Sequence, residues 1–391
     1  PKRRKPLPPF LTSTLQQESN NRLYMGTQQT MSVAQKLYEA GYITYMRTDG
    51  IDMAPEAVSA TRKNIQEIYG NKYLPEKPRF YKNKVANAQE AHECIRPTDI
   101  SKTAENLNLQ EPNQKKLYEL IRNRTLASQM EDELSETTTV ILKSENERNT
   151  LKAVGRVIKF QGFRKVFSYD DNEDIDTNEN KELPVLEKGN GVSIEDITPL
   201  QHFTQAKPRY SEASLVKKMV ELGIGRPSTY ASVVSNIQSR QYVRKEKNRL
   251  IPEDKGKLIS IFLTEYFKKY VEYDYTAELE IELDNISSGK SEWVGILSKF
   301  WKEFYPTIEA ASDLRISEVL SRINDILTPH IFPKTDSEKD PRMCYNCDNG
   351  KLSIRTSRSG SAFIGCSNYP DCNFVRPFAV ITSESLNTKS K

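Results

Sequence analysis

The chain has 391 residues, a net charge of +4 and 37% hydrophobic residues, with a mean hydropathy of −0.67. That length accommodates two to four domains, and the mildly basic, polar balance permits nucleic-acid binding without demanding it. No apolar run approaches the ~20 residues that a membrane span needs, and the basic opening Pro1-Lys2-Arg3-Arg4-Lys5-Pro6 has no apolar segment behind it, so it does not read as a secretory signal. A cytoplasmic protein without membrane contact is expected, and the start at Pro1 suggests a fragment or excised segment of a longer one.

In chain order, residues 1–131 read as largely helical. Met31 to Ala40 carries apolar residues at Met31, Ala34, Leu37 and Tyr38, with Gly41 where a C-capping glycine belongs. Pro55 to Tyr69 is a second amphipathic helix, and residues 112–130 form a third with Pro112 in its first turn. The pattern then changes. Runs at 137–142, 151–160 and 163–167 are β-branched or alternating and read as strands. Residues 169–182 are rich in Asp, Asn and Glu and read as a solvated loop, and short strands are expected again over 183–200. Ser214 to Leu222 and Ser228 to Arg240, joined by Gly223-Ile224-Gly225-Arg226-Pro227, suggest helix–turn–helix, with Ser228 as N-cap or Pro227 in the first turn. Helices at 256–270 and 291–304, a polar linker at 334–342 and a frayed tail at 381–391 complete the reading, with no internal repeat.

Four of the five cysteines fall in Cys344-x2-Cys347-x18-Cys366-x5-Cys372. Clustered thiols of this kind suit a reducing compartment and a closed, structural tetrahedral Zn2+ site rather than scattered disulfides. Arg355, Arg358, Phe363, Tyr369, Phe374 and Arg376 interleave charge with aromatics around it, a mixture that fits base stacking along a single strand or simply the core of a small ribbon. The fifth, Cys94, reads as a small apolar side chain.

The stretch Ile43-Thr44-Tyr45-Met46-Arg47-Thr48-Asp49 is the most informative. A phenol with its ordinary pKa near ~10 is a weak nucleophile. It becomes useful where a cation can hold both it and a phosphate target. In extended chain, residues i and i+2 share a face, so Tyr45 and Arg47 could meet one phosphodiester together. Alone, Tyr45 would be read as a packing residue, Arg47 as half of a surface ion pair, and His92 as a hydrogen-bonded packing histidine. Thr12, Ser13, Thr14, Gln16 and Gln17 offer uncharged phosphate contacts or a capped helix start. Arg209, Arg226, Ser228 and Thr229 offer a phosphate site at a helix N-terminus or an ordinary packing turn.

Four blocks in this order decide between these readings: Pro8-Pro9-Phe10-Leu11-Thr12-Ser13-Thr14-Leu15-Gln16-Gln17-Glu18; residues 41–49; Glu90-Ala91-His92-Glu93-Cys94-Ile95-Arg96-Pro97-Thr98-Asp99; and Leu222-Gly223-Ile224-Gly225-Arg226-Pro227-Ser228-Thr229-Tyr230. Together they resemble the type IA DNA topoisomerases, bacterial topoisomerase I in particular. The resemblance implies a multidomain α+β fold. A helical catalytic-tyrosine domain would span 1–131, a β-rich hinge domain 132–205 and a helical DNA-binding domain 206–330. A linker, a four-cysteine zinc ribbon and a tail would span 331–391.

It further implies that Tyr45 attacks single-stranded DNA to form a 5′-phosphotyrosine, with Arg47 and His92 as catalytic partners. Thr12, Ser13, Thr14, Gln16, Asp49, Arg96, Arg209, Arg226, Ser228 and Thr229 would bind DNA, Asp49 more plausibly orienting Arg47 than acting as a base. The product would be ATP-independent relaxation of negatively supercoiled DNA by a monomer. Gly50 stands where the family often has Ser, and the x5 spacing of the last cysteine pair suits the family's zinc domains. The family also carries a Toprim domain whose acidic cluster binds Mg2+. Nothing in this sequence matches it, since Asp174-Ile175-Asp176 has the spacing but sits in the polar loop. A separate Toprim-containing segment is therefore an expected partner. The rival expectation is a non-catalytic, single-stranded DNA-binding fragment, inactive without Toprim. A tyrosine recombinase or nuclease would need a different Arg/His constellation.

Overall fold

The computed structural model describes residues 2–81, 93–144, 150–168, 183–184, 186–204, 206–332, 340–347, 349–357 and 362–377. The chain divides into two compact units, Pro1–Pro208 with Glu212–Lys217 and Pro227–Ala231, and Arg209–Ser211 with Lys218–Arg226 and Ser232–Lys391.

The first unit opens with the short strand β1 (Lys2–Arg4) and four helices, α1 (Thr12–Leu23), α2 (Thr27–Glu39), α3 (Pro55–Tyr69) and α4 (Pro112–Ser128). Each helix follows from local chemistry. Proline occupies the first turn of α3 and of α4, where a missing N–H leaves nothing unpaired. Val58, Thr61 and Ile65 recur at helical spacing on the buried face of α3. The shared core contains Phe10, Leu15, Leu37, Ile43, Met46, Ile65, Ile95, Leu117 and Ile121, each 1% exposed or less. Full burial of such a side chain is worth about 1.5–3 kcal/mol.

From this body a two-stranded ribbon emerges, β2 (Glu133–Lys143) and β3 (Thr150–Phe160), with β1 antiparallel on the outer edge of β2. At its base Glu133 is fully buried between Arg156 (3.4 Å) and Arg164 (3.6 Å). Gly162 turns the chain back with φ +50, and a Cβ there would meet the Asp132 carbonyl oxygen at 2.3 Å. The turn breaks the strand expected over 163–167. Residues Gly162–Lys165 instead form a 3₁₀ turn that sends Phe163 and Phe167 into the helical core, where the Phe10 and Phe167 rings meet edge to face. The strands expected over 183–200 are absent among the described residues. That segment is extended and exposed, and extended chain becomes sheet only where a neighbour completes its ladder. The acidic loop at 169–182, including Asp174 and Asp176, and the tail at 381–391 lie outside the described residues, as does most of the expected linker.

Helices α5 (Glu212–Glu221) and α6 (Tyr230–Ser239) bracket the Gly223–Thr229 turn. The second unit continues with the hairpin β4 (Val243–Glu246) and β5 (Arg249–Pro252), which the sequence reading did not anticipate. Lys247 and Asn248 both take positive φ in its two-residue turn, the geometry that suits the twist of a tight hairpin. Helices α7 (Asp254–Tyr266), α8 (Lys268–Val271), α9 (Tyr273–Ser287), α10 (Trp293–Ser312) and α11 (Ile316–Ile331) follow, then a three-stranded antiparallel sheet β6 (Leu352–Thr356), β7 (Ala362–Cys366) and β8 (Val375–Pro377). Ile323, Leu327 and Ile331 of α11 share a core with Leu352, Ile354, Ile364 and three of the cysteines. The Asn324 carboxamide completes the docking: it donates to the Ile354 carbonyl (3.1 Å) and accepts the Ile354 N–H (2.6 Å), as a neighbouring strand would. No helix among the described residues is long and apolar enough to cross a membrane.

Candidate functional site

The end of α2 sets the site. Gly41 takes φ +74, the Tyr42 N–H reaches the Leu37 carbonyl (2.9 Å) and the Gly41 N–H reaches the Tyr38 carbonyl (2.8 Å). This paired closure uses carbonyls that the helix leaves unpaired and reverses the chain. Beyond it the segment is irregular, yet it keeps much of the alternation of extended chain: Ile43, Met46 and Thr48 are buried while Tyr45 and Arg47 are exposed.

Threonines hold this arrangement in place. The Thr12 hydroxyl donates toward the carbonyls of Met46 (2.8 Å) and Thr48 (2.9 Å) and accepts the Thr48 N–H (2.8 Å), while the Thr12 N–H donates to the Thr48 carbonyl (3.0 Å). Thr44 ties the other side: its hydroxyl donates to the Cys94 carbonyl (2.7 Å) and accepts the Arg96 N–H (3.0 Å). The Thr48 hydroxyl donates to the Glu93 carbonyl (2.9 Å), and the Ile95 N–H closes on the Phe10 carbonyl (2.7 Å). Three segments far apart in sequence are thus joined into one base beneath Tyr45. The phenol ring is 48% exposed and packs edge to face on Tyr38 at 5.3 Å. Arg47 is exposed and makes no ion pair among the described residues.

The remaining candidates divide. Thr12, Ser13 and Gln16, expected as phosphate contacts, lie under the surface, with exposures of 0%, 3% and 0%. Thr12 is committed to the loop above it, and the Gln16 carboxamide has no hydrogen-bond partner among the described residues. Thr14 caps α1 by pairing with Leu11. Arg96 grips Glu93 through two hydrogen bonds (2.7 and 3.1 Å), and Glu93 also accepts the N–H of Ala54, the N-cap of α3. His92 lies outside the described residues. Cys94 is fully buried, and burial pushes its thiol up to about 12, which suits packing and not attack. Arg226 pairs with Asp284 (2.5 Å) and Glu280 (3.7 Å). Ser228 and Thr229 lie in a turn, and α6 begins only at Tyr230, so Ser228 is not its N-cap. Arg209 is exposed, its carbonyl accepting from Arg249 (3.0 Å). Thr44, Thr48 and Tyr38 were not singled out from sequence as site residues; the threonines on either side of Tyr45 were the available signal.

The four cysteines of the second unit form a separate centre. Their sulfurs all lie within 4.8 Å of one another, with Cys344–Cys372 at 3.8 Å and Cys347–Cys366 at 3.6 Å. A tetrahedron with Zn–S bonds of about 2.3 Å has edges of about 3.8 Å, whereas a disulfide would bring sulfurs to about 2.05 Å. Gly350 keeps the interior open, since a Cβ there would stand 2.3 Å from the Cys366 sulfur. The donor set fits a structural Zn2+ held by Cys344, Cys347, Cys366 and Cys372 with no open position.

Known proteins resemble the chain in both sequence and fold. The family model described as DNA topoisomerase matches residues 1–298, and that described as topoisomerase DNA binding C4 zinc finger matches residues 342–380. The DNA topoisomerase 1 of Rickettsia prowazekii is 47% identical over 383 residues, covering 96% of this chain and 49% of that protein. That of Vibrio cholerae is 41% identical over 365 residues, covering 93% and 39% respectively. The full-length topoisomerase I of Thermotoga maritima superposes with a TM-score of 0.70 at 30% identity, covering 98% of this chain and 60% of that one. The chain spans about half the length of the curated Rickettsia relatives it matches.

Proposed function

Because the chain belongs to the type IA DNA topoisomerase family, we propose that it carries the nucleophile half of a topoisomerase active site, with Tyr45 as the attacking residue. The Tyr45 oxygen attacks a phosphodiester of single-stranded DNA and gives up its proton. The bond to the 3′ oxygen breaks, that oxygen leaves as a 3′-hydroxyl, and a 5′-phosphotyrosine remains. The new ester conserves the energy of the old one, so the hydroxyl can reverse the step without ATP. Arg47 holds the phosphate and its developing charge, which a guanidinium suits through its forked donors; one such donor is typically worth about 3–4 kcal/mol.

The observation that carries this reading is the base beneath Tyr45. Thr12, Thr44 and Thr48 fix the backbone so that Tyr45 and Arg47 face outward from one short segment. Holding reactants in a near-attack arrangement is itself a large part of catalysis. Thr12 contributes by positioning the nucleophile. His92 is assigned a place beside the phosphate, as a DNA contact or proton relay. Asp49, Arg96, Arg209, Ser228 and Thr229 are proposed to contact DNA. Arg226 would do so after exchanging Asp284 and Glu280 for phosphate, and Ser13, Thr14 and Gln16 would act only if α1 opens to the strand.

In the whole protein the reaction would relax negatively supercoiled DNA in the cytoplasm, as a monomer, with the ribbon guiding the single strand. Mg2+ is expected on the acidic cluster of a Toprim domain outside this chain's motifs, and no residue described here is assigned to it. A second reading follows from the chain covering about half of its relatives: alone, it binds single-stranded DNA without cleaving it.

Covalent trapping tests both. The chain, Mg2+ and an oligonucleotide labelled on the downstream, 5′-phosphate-bearing fragment are mixed, with Tyr45→Phe as control. A denaturation-resistant adduct that the control lacks, with or without an added Toprim-containing segment, is the expected outcome. An adduct that survives Tyr45→Phe would overturn the assignment. Adduct only with the added segment would support the second reading for the isolated chain.

A further inference from the structure

The zinc ribbon contains a regularity that the cysteine spacing does not require. Asn346 stands two residues after Cys344, and Asn368 stands two residues after Cys366. The Asn346 main-chain N–H points at the sulfur of Cys344 (3.4 Å), and its side-chain amide Nδ2 points at the sulfur of Cys372 (3.8 Å) in the other cysteine pair. Asn368 repeats the arrangement in reverse. Its main-chain N–H points at Cys366 (3.4 Å) and its Nδ2 at Cys347 (3.8 Å). Two asparagines thus direct a donor at each of the four sulfurs, and each side chain crosses from its own pair to the opposite one.

We propose that Asn346 and Asn368 form a reciprocal brace that sets how tightly the ribbon holds its Zn2+. Four thiolates around one divalent ion leave surplus negative charge in a small volume, and N–H donors aimed at sulfur stabilise it. The main-chain donors come with the turn, whatever the residue. The side-chain donors do not: only a carboxamide of this length offers an N–H across the gap. An aspartate of the same shape would place a second negative charge against the thiolate. The crossing also ties together two cysteine pairs that 18 intervening residues separate in sequence, so the donor set is held together before metal arrives. The absence of a side chain at Gly350 makes room for one arm, since a Cβ there would stand 3.2 Å from both the Asn368 Cγ and the Cys347 sulfur. Both asparagines are positioning residues; neither touches the metal.

The test uses the full chain loaded with Zn2+ and a chromophoric chelator in competition. Asn346→Ala and Asn368→Ala are each expected to lower zinc affinity about tenfold, their combination about a hundredfold, and Asn346→Asp or Asn368→Asp more than alanine at the same site. Asn349→Ala, in the same turn but with its side chain directed at no sulfur, is expected to match the parent. Replacement of Zn2+ by Co2+ supplies a readout that folding alone does not move. The thiolate-to-cobalt charge-transfer band shifts in the brace variants while the ligand-field bands of a tetrahedral four-sulfur site persist. Affinities within twofold of the parent, an unmoved charge-transfer band, or an equal loss in Asn349→Ala would each overturn the brace. A brace variant that no longer holds Co2+ while Asn349→Ala does supports it. A parent chain that binds no Zn2+ overturns the centre itself, independently of the topoisomerase reading.

Discussion

The helical body around Tyr45 and the helices α7–α10 have similar secondary structure and opposite interiors. In α1–α4 the apolar faces close on one another, and many side chains are fully buried. In α7, α8, α9 and α10 no residue is. Aromatic rings of α8, α9 and α10 do meet, Tyr270 with Tyr275 at 5.2 Å and with Phe304 at 4.8 Å. Yet Trp293, Leu297, Trp301 and Tyr305, spaced four apart along α10, stay 44–58% exposed. An amphipathic sequence makes a helix in either region. It makes a core only where a second layer covers the apolar face, and rigidity at a site requires the core. Tyr45, the proposed nucleophile, stands on the region that has one.

Four experiments break or sharpen this contrast. The largest effect is expected from zinc removal, because a structural Zn2+ is worth about 10–16 kcal/mol to a small metal-held fold. Chelation should expose four thiols to a disulfide reagent and abolish amide-exchange protection in β6, β7 and the last turns of α11. Protection in α1–α4 should persist and Cys94 should stay unreactive. Loss of protection in α1–α4 would show that the two regions are not separable in stability.

Glu133→Gln comes next. It leaves Arg156 and Arg164 facing a buried neutral amide, and breaking a buried ion pair from one side costs about 3–5 kcal/mol. Thermal unfolding followed by far-ultraviolet circular dichroism should show the helical body melting earlier, with the ribbon's zinc affinity unchanged.

Thr12→Val removes the hydroxyl beneath the Tyr45 loop and leaves polar backbone groups of Met46 and Thr48 unpaired, at about 1–3 kcal/mol. The expected result is a roughly tenfold or greater fall in the rate of covalent adduct formation, with oligonucleotide affinity within about twofold. Equal losses in affinity and adduct would make Thr12 a DNA contact and not a positioning residue.

The smallest effect belongs to Trp301→Ser on the open face of α10. A half-exposed side chain with no covering layer is expected to change the unfolding free energy by under about 0.5 kcal/mol. A shift of several degrees in Tm would show that the face is covered in solution.

Some of this was legible in the linear chain and some was not. The four-cysteine centre was, because metal geometry restricts ligand spacing so strongly that the pattern of Cys344, Cys347, Cys366 and Cys372 has few other meanings. Helices α2 and α3 were too, since Gly41 and Pro55 are local signals whose chemistry acts within one turn. The exposure of both Tyr45 and Arg47 agrees with the two-residue period of extended chain. The burial of Thr12 and Gln16 was not legible, because a polar side chain declares its donors but not its partners. Nor was the fate of Phe163 and Phe167: their run reads as strand until the positive φ of Gly162 turns it into the core.

The linear order of residues therefore determined which groups could do chemistry and where helices such as α2, α3 and α4 would form, since capping, periodicity and ligand spacing act over a few residues; α9 and α11 were not anticipated from such local signals. The tertiary structure alone decided that Thr12, Thr44 and Glu93 meet beneath Tyr45, that Glu133 lies between two arginines, and that Asn346 and Asn368 reach across to each other's cysteines. Those arrangements are contacts between segments distant in sequence, and they exist only once burial of a common core has offset the entropy of bringing the segments together.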